Sequence, residues 1–159
     1  YYRGADFAVD TRFITDNIGD FFLSLSIAYV DDERRKDTVN DPFVTIMNQE
    51  RRLRSRSYLS LSWSKNDWST GVSTSRIGSM KYRDSRAPNS TGANKIKPYF
   101  DVGSFVRYTI DDGHFVSLSV SNLFDDSPQQ NTDLGWPWFS EYYYSPVGRE
   151  MFVTYRYSF

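Results

Sequence analysis

Residues 51–63 read RRLRSRSYLSLSW, and the period of this stretch decides the fold. Leu53, Ser55, Ser57, Leu59, Leu61 and Trp63 occupy one set of alternate positions, and Arg52, Arg54, Arg56, Tyr58, Ser60 and Ser62 the other. Successive side chains of an extended chain point to opposite faces, so this alternation predicts a strand with one apolar and one polar face. Ser64-Lys65-Asn66-Asp67 follows as a tight turn. Residues 68–82 then resume the pattern, with Trp68, Thr70, Val72 and Thr74 on the apolar side.

The same period extends in both directions. Residues 5–13 set Ala5, Phe7, Val9, Thr11 and Phe13 against Asp6, Ala8, Asp10 and Arg12, and residues 21–30 place Phe21, Leu23, Leu25, Ile27 and Tyr29 on one face. Residues 97–110, 115–124 and 150–159 repeat it downstream, ending in Met151, Val153, Tyr155, Tyr157 and Phe159. Between them lie a short turn at 14–20, a polar loop at 31–50, the turn at 64–67, a loop at 83–94, the hairpin signal Asp111-Asp112-Gly113, and a loop at 125–147. The pattern predicts an all-β protein of about seven antiparallel strands with no helical period. Short and long connections alternate, as in an up-and-down transmembrane β-barrel with tight periplasmic turns and long outer loops. A soluble sandwich would mix hairpins with Greek-key crossings and use shorter strands.

Composition narrows the function classes. The chain has 159 residues, no cysteine, and 19 Lys+Arg against 20 Asp+Glu, for a net charge of -1. No disulfide, thiolate metal site or thiol nucleophile is available, and nucleic-acid binding has no basic excess to drive it. Mean hydropathy is -0.59, yet 18% of the residues are aromatic, which requires apolar and polar residues to be interleaved. At this length a single domain is expected. The start, YYRGADFAVD, has no initiator Met, basic n-region or apolar h-region, so either processing or a longer parent chain is expected.

The polar phase of the strands carries Asp6, Asp10, Arg12, the three arginines Arg52, Arg54 and Arg56, and Asp101, Arg107 and Arg156 among serines and glycines. Apolar-out, polar-in alternation suits a wall with lipid outside and a wet lumen. Trp63 and Trp68 beside one turn, with Tyr108, Tyr155, Tyr157 and Phe159 near others, fit an interfacial aromatic girdle. The competing reading is a soluble sheet with one solvated face.

The C-terminal third carries a resemblance. VSLSVSNLFDDSPQQN, then SPVGRE, then MFVTYRYSF resembles the end of TonB-dependent outer-membrane receptors. The matching landmarks are Asn122-Leu123-Phe124-Asp125 closing the penultimate strand, Gly148-Arg149 opening the last, and the terminal aromatics Tyr155, Tyr157 and Phe159. The resemblance implies a plugged barrel of about 22 strands, in which residues 1–159 form a C-terminal segment without the plug or TonB box. It implies outer-membrane localisation and TonB-energised import of a scarce ligand of the ferric siderophore, cobalamin or oligosaccharide class. It also implies that Gly148, Arg149, Tyr155, Tyr157 and Phe159 belong to the barrel-assembly signal. The implied partners are lipid and lipopolysaccharide, the plug and remaining barrel, the TonB complex through the missing N-terminal part, and a surface lipoprotein. Neither a cofactor nor a resident metal is implied. The alternatives are a small complete barrel acting as adhesin or structural protein and, third, an outer-membrane enzyme.

Site candidates follow from residue type. Arg52, Arg54 and Arg56, placed on one face of one strand, form either an ion-pair lattice or a wall for an anionic ligand. The segment LGWPWFSEYYY, residues 134–144, offers Trp136, Trp138, Tyr142 and Tyr144 for stacking on a ring, or else packs on itself or anchors at the lipid interface. His114, the only histidine, stands beside Asp111 in a turn and reads as solvated rather than catalytic. The acidic runs 31–33 and 125–126 lack calcium-loop spacing, and the sequon at 89–91 reads as chance.

Overall fold

The computed structural model describes residues 1–46, 52–82, 94–130, 136 and 138–158; Phe159 and the 89–91 sequon lie outside them. In chain order the strands are β1 (Tyr2–Phe13), β2 (Asp20–Arg35), β3 (Val44–Thr45), β4 (Ser55–Lys65), β5 (Trp68–Ile77), β6 (Met80–Tyr82), β7 (Asn94–Ile96), β8 (Tyr99–Asp111), β9 (His114–Ser121) and β10 (Glu150–Tyr157). Seven of them form one open antiparallel sheet in the order β1-β2-β4-β5-β8-β9-β10, with β3 paired to the end of β2, and β6-β7 form a separate hairpin. No helix occurs among the described residues.

The registers carry the alternation across every strand. One cross-strand row joins Phe13, Phe21, Trp63, Thr70, Val106, Leu118 and Val153, and the next joins Thr11, Leu23, Leu61, Val72, Ser104, Val120 and Met151. Residues directly opposite in an antiparallel pair share a face, so these rows make a continuous apolar surface. The intervening row holds Arg12, Phe22, Ser62, Gly71, Phe105, Ser119 and Phe152. Asp6, Asp10, Arg56, Asp101, Arg107 and Arg156 share that second face. On it a trough of about 540 Å³ is floored by Ser60, Ser62, Gly71, Ser73, Gly103 and Ser119. A Cβ at Gly71 would lie 2.6 Å from the Phe105 ring, so that ring packs over the glycine and would have to shift for any larger residue.

No second layer covers the apolar face among the described residues: Phe7 is 57% exposed, Phe13 58% and Val153 77%. Its turn-side end is aromatic. Trp68 and Tyr108 pack with ring centroids 4.8 Å apart, and Trp63 Nε1 donates to the Ile18 carbonyl at 2.7 Å.

Several boundaries differ from the sequence reading: β1 begins at Tyr2 rather than residue 5, and β9 closes at Ser121 rather than residue 124, because Asn122 turns the chain at a φ of 47°. β2 runs on to Arg35, and β3 returns to pair with it, inside the stretch expected to be loop. Polar residues on both faces hide that extension from any periodicity. It is held by backbone pairing and by ion pairs of Arg3 with Asp31, Arg34 with Asp32 and Arg52 with Glu33. β4 begins at Ser55 rather than at residue 51. β5 stops at Ile77, where the Gly78 amide bonds to the Ser55 carbonyl and the chain leaves the sheet for the β6-β7 hairpin.

Candidate functional site at the loop end of the polar face

The three arginines separate. Arg56 lies within β4, on the polar face, opposite Ala28 on one side and Ile77 on the other. Arg54 precedes the strand, its carbonyl accepting from the Val30 amide at 2.8 Å. Arg52 pairs with Glu33 at 3.0 Å. Of the three guanidiniums expected on one strand row, only Arg56 lies within β4, which begins at Ser55, while Leu53 between the other two packs against the buried loop cluster. Among the described residues Arg54 and Arg56 have no ion pair. Arg56 borders a depression of about 350 Å³ lined also by Asp6, Phe7, Ala8, Ser26, Ile27, Ala28, Ser57 and Tyr58. Small floor residues let a ligand approach the backbone, and Arg56 supplies a bidentate cation beside them.

The aromatic loop is built around Tyr144. Ile77, Met80, Ile96 and Tyr144 form a buried cluster, joined by Leu53, Tyr99, Phe139 and Tyr143. Tyr144 meets Tyr99 edge-on at 5.4 Å and Phe139 at 6.3 Å. Its hydroxyl is buried without a hydrogen-bond partner among the described residues, and burial, with Tyr143 and Tyr99 alongside, raises the phenol from 10.0 to about 12. Ile77 and Tyr99 oppose each other on the polar face, so this cluster rises from the polar side of the sheet. Tyr144, a sequence candidate for ligand contact, is only 3% exposed and supports the loop instead. Trp136, Trp138 and Tyr142 remain 77%, 44% and 85% exposed. Tyr142 rests edge-on against Tyr143 at 5.0 Å. Trp138 takes a φ of 66°, a conformation rare for a bulky residue.

Arg56 and the aromatic loop are thus brought to one end of one face, with Ile77 as the shared neighbour. Sequence reasoning assigned no role here to Tyr58 and Tyr99. The available signal for Tyr58 was an aromatic standing in the polar phase of its strand. A guanidinium sharing its depression with the Tyr58 ring suits a ligand combining negative charge with a planar or ring-shaped body.

At the opposite end, Tyr155 pairs with Val116 and Tyr157 with His114 on the apolar face. His114 is not simply solvated: its ring stacks on Tyr157 at 4.3 Å and 12°, and Nδ1 lies 2.7 Å from Asp111. Gly148 and Arg149 sit just before β10, the Arg149 amide donating to Asp125 Oδ1 at 2.8 Å. No cluster of three metal-ligating side chains occurs among the described residues. The acidic run 31–33 is instead taken up by Arg3, Arg34 and Arg52. Comparison with known protein families, with characterised proteins and with solved structures returned no match.

Proposed function

We propose that this chain is the C-terminal wall of a TonB-dependent receptor in a Gram-negative outer membrane. Its polar face would line the lumen, and its loop end would help admit a scarce ligand. The observation that carries the reading is the apolar face spanning seven strands with no layer over it among the described residues. Lipid is the partner that removes such a surface from water without a second sheet. The aromatic row at the turn-side end supports an interface there. Ser60, Ser62, Ser73 and Ser119 around the trough support a wet or plug-filled interior. The Asn122–Asp125 and Gly148–Arg149 landmarks support the receptor class by resemblance.

A small complete barrel would need β1 hydrogen-bonded to β10, and both are free edges of the sheet. The test is the complete gene product in its native cell. It should sediment with the outer membrane, resist carbonate extraction, and mediate ligand uptake that stops when TonB is deleted. Recovery in the soluble fraction would overturn the membrane reading, and TonB-independent uptake the receptor class.

A further inference from the structure

The tetrapeptide Asn122-Leu123-Phe124-Asp125 folds into a device that no sequence period describes. Asn122 is 7% exposed and adopts a φ of 47°, and Asp125 a φ of 58°. Asparagine and aspartate tolerate this left-handed region because their short side chains bond the local backbone. Here Asn122 Nδ2 donates to the Asp126 carbonyl and Oδ1 accepts from the Asp126 amide, both at 2.9 Å. The Asn122 amide donates to Asp101 Oδ1 at 3.2 Å and the Leu123 amide to the Val102 carbonyl at 2.7 Å. Tyr99 Oη reaches the Asp126 carbonyl at 3.2 Å. The turn is therefore fastened to the first residues of β8.

Across the 126–147 segment the same turn receives the start of β10. Asp125 Oδ1 accepts from the Arg149 amide at 2.8 Å. A Cβ on residue 148 would lie 2.7 Å from that oxygen, so glycine is the residue that lets the carboxylate in. From this junction β10 enters the ladder with Glu150 opposite Ser121.

We infer that Asp125 is a positioning residue, whose carboxylate clasps Gly148-Arg149 and thereby sets the register of the terminal strand. Register matters here because a shift by one residue moves the whole side-chain set to the other face. A slipped β10 would turn Met151, Val153, Tyr155 and Tyr157 toward the polar side and Phe152, Thr154 and Arg156 toward the apolar one. The clasp also holds both ends of the 126–147 segment against β8, next to Tyr99 and hence to the Tyr144 cluster. The inference rests on these contacts alone and stands whether or not the chain serves a receptor.

The test is disulfide trapping in the complete protein, with cysteines at the native pair Leu118 and Val153 or at the slipped pair Leu118 and Thr154. Asp125→Gly removes the carboxylate while relieving the left-handed backbone, so it isolates the bond to Arg149. It should lower the ratio of native to slipped cross-link about tenfold, the effect of losing one charge-assisted hydrogen bond. Gly148→Val should act in the same direction by wedging the clasp open. Asp125→Asn, which keeps the acceptor and the conformation, should restore most of the native cross-link. An unchanged ratio in Asp125→Gly, or failure of Asp125→Asn to restore it, would overturn the inference. Should Gly148→Val fail to accumulate, the Gly–Asn pair at position 125 still decides the matter.

Discussion

Replacing Tyr144 with phenylalanine removes a buried hydroxyl that has no hydrogen-bond partner among the described residues while keeping the ring against Tyr99 and Phe139. Burying such a group unpaired costs about 1–3 kcal/mol, so Tyr144→Phe should leave the aromatic loop as stable or stiffer, and Tyr144→Ala should loosen it. Limited proteolysis of residues 126–147 reads both. The phenol also gives the loop a pH dependence of definite sign. Ionising near 10.0 when unfolded and at about 12 when folded, it holds its proton more tightly in the packed state. The packing is complete below about pH 10 and is lost as pH rises toward about 12. Protease sensitivity should climb across that window in the wild type and stay flat in Tyr144→Phe. At the same scale, Arg56 and Arg54 differ from Arg52, which is committed to Glu33. Arg54→Gln with Arg56→Gln should weaken capture of an anionic ligand. Arg52→Gln should leave capture intact and cost under about 1 kcal/mol, as an exposed ion pair does. Ligand-binding titrations of the two variants would show equal losses if the arginines served one lattice.

At the scale of elements, strands whose two faces meet different surroundings were the legible part. The seven sheet strands follow from a period of two because each residue's surroundings are fixed by the face it takes. Where both faces carry polar side chains the period vanishes, which is why the end of β2 and its partner β3 read as loop. The β6-β7 hairpin escaped for a different reason. Its apolar residues Met80 and Ile96 pack with Ile77 and Tyr144, contacts made between distant segments that leave no local signature. The candidate site was legible as two residue types, arginine and aromatic, but not as one place, since Ile77 joins them only through the β4-β5 register. The terminal strand allows a prediction here. Tyr155 and Tyr157 are seated on β9, with His114 stacked on Tyr157 and the Ser158 amide bonded to the Gly113 carbonyl at 2.9 Å. Deleting Phe159 should therefore leave the β9-β10 register intact, as read by the Leu118–Val153 cross-link, while lowering the amount of protein reaching the outer membrane. Normal outer-membrane levels of the truncated protein would remove Phe159 from the assembly signal.

For the whole molecule the decisive quantity is parity. Each antiparallel step reverses strand direction, so β1 and β10, at the ends of a seven-strand order, run the same way. Joining them directly would make a parallel pair. An all-antiparallel closure instead needs an odd number of further strands, in keeping with the even totals of single-chain bacterial barrels. Both edges are long: β1 has 12 residues and β10 has 8. In hydrocarbon, unpaired backbone groups along such edges cost several kcal/mol each. The 159-residue chain expressed alone and refolded in detergent micelles should therefore associate through its edges. It should lack the shift between heated and unheated electrophoretic mobility that marks a closed barrel. The complete gene product in the same micelles should show that shift as a monomer. A monomeric, heat-modifiable 159-residue species would mean that β1 and β10 do join. The lumen would then be too narrow for a plug, and the import reading would give way to a small self-contained barrel.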